Sequence, residues 1–272
     1  MNSVEGCMKK IEPFQNLILL FLSALLLSHC APQPKFSQSE ISSQISSHNV
    51  RIDSTLADDR AMDRIILPYR TELNRTMGQI VGHAAVALTK KKPEGTLNNF
   101  VADLMLKRAN CDFPFPVSVA ITNRGGLRVN IPKGAITLGK IYEVMPFENE
   151  LVVLEMTGAQ LVTLAKQIGE VGGECIAGMR LEYDGQTLKK MTVQGKFIEP
   201  DKIYYLVTTD YLSSQGRRKL SILGQVKRNF LGVRLRDAIL EEVKSLEASG
   251  KEVSAAIDGR IIIHAVKNRN RK

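Results

Sequence analysis

Tryptophan is absent from the 272 residues, aromatic side chains make up only 6% of them, and histidine occurs four times. Each scarcity excludes a class of chemistry. With so few rings, stacking platforms for single-stranded nucleic acid are scarce. Nucleic acid is therefore not the expected partner, although a net charge of +9 and a pI near 9.4 favour anionic partners in general. Two of the histidines, His83 and His264, fall in segments that read as strands and are taken as structural residues rather than ligands. No Ser/His/Asp arrangement and no phosphate-cradling Walker loop occurs, so no catalytic residue is assigned. Cysteine stands at positions 7, 30, 111 and 175 with no Cys-x-x-Cys pair, which removes the zinc knuckle and the thioredoxin-type redox site. Cys111 and Cys175 are left as either one disulfide or two thiols.

Long hydrophobic runs are also missing. The longest, Leu17 to Leu27, follows Lys9-Lys10 and has eleven residues, too few to span a bilayer as an ordinary helix but suited to a secretory signal. It ends in Leu27-Ser28-His29-Cys30, which resembles a bacterial lipobox with Cys30 as the lipidated residue. Residues 1–29 are read as a lipoprotein signal peptide and residues 30–53, rich in Ser, Gln and Pro, as a flexible tether. The expected location is extracytoplasmic, with the membrane a partner through the lipid anchor. Residues 54–79 read as a helical connector, with Leu56, Ile65, Ile66 and Leu73 set among charges. Residues 80–266 hold the folded body, and residues 267–272 a basic tail.

An apolar fraction of 44% is ample for a packed core. The body alternates strands and helices. Ile80 to Leu88, Leu151 to Met156, Ile203 to Thr208 and Arg260 to Val266 read as strands. Met179 to Tyr183 and Lys189 to Gln194 read as a hairpin around Asp184-Gly185. Helical spacing begins at Thr96, expected as an N-cap, and continues through Leu97, Phe100, Val101, Leu104 and Met105. Thr137 to Val144 reads as a short helix, and Leu235 to Leu246 as a longer one. Thr157-Gly158-Ala159-Gln160 matches a capping box that opens a helix closed by Gly169. The fold class is a single mixed α/β domain.

The stretch from Val117 to Arg128 concentrates the chemistry. A short strand rich in β-branched residues leads into Asn123-Arg124-Gly125-Gly126-Leu127-Arg128. Gly125 and Gly126 permit φ > 0 and a close approach of ligand to exposed N–H groups, and Arg128 offers a planar, permanently charged fork.

This segment resembles the Asn-x-Gly-Gly-x-Arg signature of the C-terminal, substrate-recognition domain of the 5′-nucleotidase family. Three further segments resemble that family in its order: Pro93 to Asp103, Val144-Met145-Pro146-Phe147-Glu148-Asn149, and Thr208-Thr209-Asp210-Tyr211-Leu212. The resemblance covers about Ile80 to Ala265 and implies a nucleotide or nucleoside ligand. Asn123, Gly125, Gly126 and Arg128 would form the polar floor, with Phe147 and Tyr211 as two rings around the base. Lys91 stands near the place of a family substrate-binding Arg. One position departs: where the family carries an Asp for the ribose hydroxyls, the chain has Ser214-Gln215-Gly216-Arg217-Arg218, and a guanidinium has no acceptor. The family's hydrolytic metals sit in a separate N-terminal domain with Asp-x-His and Gly-Asn-His-Glu motifs, neither of which occurs here. The resemblance thus implies substrate recognition without a metal or other cofactor on this chain, and a separate metallophosphoesterase as partner. The alternatives are a stand-alone nucleotide-binding lipoprotein and a degenerate surface interaction module.

Overall fold

Continuously apolar strands build the chain around a five-stranded sheet whose central strands are covered on both faces. The computed structural model describes residues 49, 51–53, 55–214 and 220–265. The expected signal peptide, the lipidation site Cys30, most of the tether, the Arg217-Arg218-Lys219 cluster and the basic tail lie outside the described residues. Residues up to Asp58 form one unit, in which Asp53 accepts hydrogen bonds from the Thr55 N–H and hydroxyl. The second unit begins at Asp59.

Helix α1 (Arg60–Met77) starts at Asp59, whose carboxylate accepts from the Ala61 and Met62 N–H groups. It begins later than the connector reading placed it and buries none of its residues. Strand β1 (Ile80–Ala84) pairs antiparallel with β3 (Gly134–Thr137). The strand expected through Leu88 stops at Ala84, and Leu88 returns only as an isolated bridge to Ile131. Helix α2 (Thr96–Asp112) buries Leu97, Phe100, Val101, Leu104 and Met105, as the spacing required. Thr96 is not its N-cap: that position is Gly95, and the Thr96 hydroxyl instead accepts from the Thr89 N–H at 2.8 Å, tying the helix to the incoming loop.

The large sheet has the order β10–β4–β9–β2–β5, with β2 at Val117–Thr122, β4 at Glu150–Thr157, β5 at Cys175–Ala177, β9 at Ile203–Thr209 and β10 at Arg228–Arg234. β2 and β9 run parallel, while β4 is antiparallel to β9 and β5 antiparallel to β2. Alternate residues feed two cores. Ala120, Val153 and Val207 pack with α2 and with α6 (Leu235–Ala248). Val119, Ile121, Val152, Leu154 and Leu206 pack with α4 (Gly158–Glu170) and a second sheet. That second sheet, β11–β6–β7–β8, is built from β6 (Met179–Asp184), β7 (Thr187–Val193), β8 (Lys196–Phe197) and β11 (Ile261–His264). Because both faces of β2, β4 and β9 are covered, these strands are apolar on both sides. The short helix α3 (Leu138–Val144) is capped by Thr137. The mixed α/β class is therefore as expected.

The capping box at Thr157 and Gln160 is formed in full. Gly169 does not close α4, which runs on to Glu170, because its missing side chain serves a different purpose. The fully buried ring of Tyr183 fills the space, so a Cβ at Gly169 would lie 2.5 Å from Tyr183 Cε1. The Tyr183 hydroxyl donates to the Ala165 carbonyl at 2.6 Å, which satisfies the phenol, and burial pushes its pKa up. The two body cysteines are free thiols, Cys111 exposed and Cys175 buried. His83 faces Glu247 at 3.0 Å and His264 faces Glu182 at 2.9 Å, the structural roles expected of them.

The close approach at α4 makes a direct prediction. Gly169→Ala must push the Tyr183 ring or the helix aside, and urea unfolding should show a loss of about 1–3 kcal/mol, typical of an overpacked core. An unchanged midpoint and slope would contradict the packing described.

Candidate functional site

Three chain segments meet at one edge of the large sheet, and the strand directions explain why. β2 and β9 are parallel, so the residues that follow them, Asn123 and Tyr211, leave at the same edge. β4 runs the other way, so the residues before it, Phe147 and Asn149, enter there. Loops at the carboxyl ends of parallel strands are a recurrent place for ligand cavities.

The meeting point is a cavity of about 340 Å³ lined by Asn123, Gly125, Gly126, Arg128, Phe147, Asn149 and Tyr211. All six residues expected at a ligand site thus line a single space. Asn149 is the seventh and was not among them. Its signal was present in the Pro146-Phe147-Glu148-Asn149 turn, where only the ring was singled out.

The floor differs from expectation in its backbone. Residues Arg124–Gly126 form a single 3-10 turn, and neither glycine has a positive φ. Four N–H groups of the segment are engaged inside the protein: Arg124 to Glu174 Oε2, Gly126 to Asn123 O, Leu127 to Arg124 O and Arg128 to Val144 O. The ligand-facing surface is thus made mainly by side chains and not by a row of exposed N–H groups. Space favours glycine at one of the two positions: a Cβ at Gly126 would stand 3.3 Å from Asn123 Oδ1, whereas one at Gly125 would meet only Asn123 Nδ2, at an ordinary contact distance of 3.6 Å.

Lysine reaches this loop, but from the neighbouring position. The Lys90 ammonium donates to the carbonyls of Leu127 and Arg128, at 2.7 and 3.0 Å, while its N–H donates to Asn130 Oδ1. Lys91 is exposed and does not line the cavity; its carbonyl accepts from Asn98 Nδ2. The Arg128 guanidinium lies 5.0 Å from the centre of the Phe147 ring and donates through Nη1 to the Gly125 carbonyl at 3.2 Å. It is therefore held by a ring on one side and by its own turn on the other, a cation–π and hydrogen-bond arrangement that fixes its plane.

The Phe147 arm is held from behind. Phe147 is half-buried and packs against the core formed with α2 and α6. The next residue, Glu148, carries its carboxylate to Arg236, and to Arg234 at 2.8 Å. Arg236 is buried, with its guanidinium carbon 4.3 Å from the centre of the Tyr142 ring. The hydrogen bond from Arg236 holds the Glu148 carboxyl below the usual carboxylate range. Tyr211 is 44% exposed and belongs to α5 (Asp210–Ser213), a single turn capped by Thr209. Among the described residues no group of three or more His, Cys, Asp and Glu is placed to hold a metal ion, and no chemical step is derived through one on this chain.

The sequence model of the family described as 5′-nucleotidase, C-terminal domain, matches residues 77–224. Among curated proteins, Endonuclease YhcR of Bacillus subtilis is 29% identical over 218 residues, covering 76% of this chain and 17% of that protein. Protein UshA of Yersinia enterocolitica is 27% identical over 207 residues, 71% of this chain and 36% of that one. Among solved structures, the 5′-nucleotidase precursor from Thermus thermophilus superposes with a TM-score of 0.64 at 26% identity, covering 74% of this chain and 42% of that chain. The chain therefore spans less than half the length of each of these relatives.

The Glu148 tie fixes a pH dependence. Its carboxyl is held low in the folded protein, so its stabilisation is complete above the ordinary glutamate range, about pH 4 to 5, and is lost as pH falls through the lower folded value. Glu148→Gln should melt below wild type at pH 7, and the gap should close as pH is taken well below the ordinary glutamate range. A gap that persists unchanged at low pH would contradict the ion pairing.

Proposed function

Since the chain belongs to the 5′-nucleotidase C-terminal domain family, we propose that it recognises the nucleoside part of a nucleotide for a 5′-nucleotidase-type phosphohydrolase system. The observation that carries this reading is the cavity itself: two rings, two amides, two glycines and one guanidinium around a single space. Phe147 and Tyr211 are the rings on which any base could stack, since every base has a π-face and stacking excludes water from it. Asn123 and Asn149 each carry a donor and an acceptor for polar edges of the ligand. Arg128, the one charged residue of the described lining, favours an electron-rich edge or an oxygen. These groups bind and orient; bond cleavage belongs to a metallophosphoesterase carried outside this chain, against which the phosphate end of the ligand is presented. The nucleotide is thus the shared ligand of the two, and its breakdown the shared task. Lipidation at Cys30 would hold the recognition domain at a membrane outside the cytoplasm.

A stand-alone nucleotide receptor would use the same cavity without that partner, and a surface interaction module would not need the cavity at all. Calorimetric titration of the full chain with AMP and with adenosine separates them. Binding is expected, and Phe147→Ala should weaken it by about 5- to 150-fold, corresponding to about 1–3 kcal/mol of lost stacking. Gly125→Ala should leave the melting temperature unchanged, since nothing crowds the new Cβ, yet reduce affinity by narrowing the floor. No heat with either ligand up to millimolar concentration would overturn the recognition role. Acceleration of AMP hydrolysis when the chain is added to a metallophosphoesterase, beyond what that enzyme does alone, would favour the two-component reading over the receptor.

A further inference from the structure

One oxygen atom is shared by the two arms of the cavity. The peptide unit between Asn149 and Glu150 marks the point where the Phe147 arm becomes β4. Its carbonyl, on Asn149, accepts from the Leu235 N–H at 2.8 Å, at the start of α6. Its N–H, on Glu150, donates to Asp210 Oδ1 at 3.1 Å. The same oxygen accepts from the Tyr211 N–H at 2.6 Å, at the base of the other arm. The plane of one peptide is thus held from both sides, and one of its two holders also carries Tyr211.

A side chain that only capped α5 would need to reach no further than its own turn, a duty already performed by the Thr209 hydroxyl, which accepts from the Leu212 N–H. Asp210 reaches sixty residues back along the chain as well. It does not line the cavity, so it contributes no direct contact to a ligand there. Its effect is geometric. Adjacent strands fix the arms only as far as the last ladder pair, Leu151 with Thr209. Beyond that pair the ladder supplies no bond, and the Asp210 oxygen takes over.

We propose that Asp210 is a positioning residue that sets the separation of the Phe147–Asn149 arm from the Tyr211 ring. The proposal rests on the nucleotide reading of the cavity and adds to it the device that holds the two arms in a fixed relation. A rigid gap lowers the ordering cost on binding, which is where a positioning residue shows its effect.

The test uses the full chain, AMP and adenosine in the calorimeter, and amide hydrogen exchange at Glu150 by NMR. Asp210→Ala should weaken both ligands by about tenfold, in the range of a lost buried hydrogen bond, and speed exchange at Glu150. Asp210→Asn keeps a carbonyl oxygen at the same place and should restore both readouts to near wild type. In a Tyr211→Ala background, Asp210→Ala should cost less affinity than in the wild type, because one of the two arms it ties together has lost its ring. Wild-type affinity in Asp210→Ala, failure of Asp210→Asn to rescue, or an equal loss in the Tyr211→Ala background would each overturn the proposal. Should Asp210→Ala fail to fold, Asp210→Glu displaces the oxygen by one methylene; a similar loss is expected, and wild-type affinity overturns. If the wild-type chain binds neither ligand, the nucleotide reading falls by itself. Exchange at Glu150 then still decides the tie: faster in Asp210→Ala supports it and unchanged overturns it.

Discussion

The parallel pairing of β2 with β9, with antiparallel β4 on the other side of β9, is the constraint from which the rest of the site follows. It forces the chain to leave β2 at Asn123 and β9 at Asp210, and to enter β4 at Glu150, all at one edge. Neighbouring strands lie about 4.8 Å apart, so segments attached to β2 and β4 are separated by roughly two such spacings, with the Tyr211 turn rising between them. No loop has to travel far to make the cavity. The strands themselves are held by apolar burial on both faces, which makes a register slip costly because it would turn whole rows of side chains toward the wrong core.

Around this frame the polar interactions differ in strength, and burial decides which of them matter. Exposed pairs such as Arg75 with Glu72 contribute little in water. Arg236 stands apart, with its side chain only 6% exposed, so the Glu148 carboxylate and the Tyr142 ring replace solvent for it. Removing the carboxylate would leave a buried cation without its partner, the costly half of a broken pair. Arg260 plays the same part away from the cavity. Burial disfavours its charge, but hydrogen bonds with Asp103 and Asp258 outweigh that and raise its pKa, so it binds α2 to the segment before β11. The Asp103 carboxylate is thus a structural anchor.

Much of the site was legible through the resemblance of short segments to one family: adjacent glycines after an apolar strand, a guanidinium two residues later, a proline-phenylalanine turn after a short helix. What escaped was whatever depends on which segment lies opposite. Lys91 and Lys90 are indistinguishable as letters, and only the course of the loop sends Lys90 to the Leu127 and Arg128 carbonyls. Gly125 and Gly126 were read as sites of positive φ, the commonest reason for glycine in a turn, whereas neither has one and Gly126 instead leaves room beside Asn123. Gly169 resembled a helix stop because its contact with Tyr183 comes from a different sheet. Strand β10 was missed. It lies at the sheet edge with Arg228, Phe230 and Arg234 exposed, and an edge strand need not show an apolar pattern. The partners of Asp210 are equally invisible in sequence, since a hydrogen bond to a main-chain N–H leaves no mark on the residue that donates it.

The proposed place of the nucleoside is the cavity lined by the two rings and the Asn123 turn. Amide chemical-shift mapping of the labelled chain during addition of AMP addresses this directly. The account predicts saturable shifts confined to the segments around Asn123–Arg128, Phe147–Asn149 and Tyr211, while the second sheet stays unmoved. Shifts that cluster elsewhere, or none at saturating AMP, would contradict it.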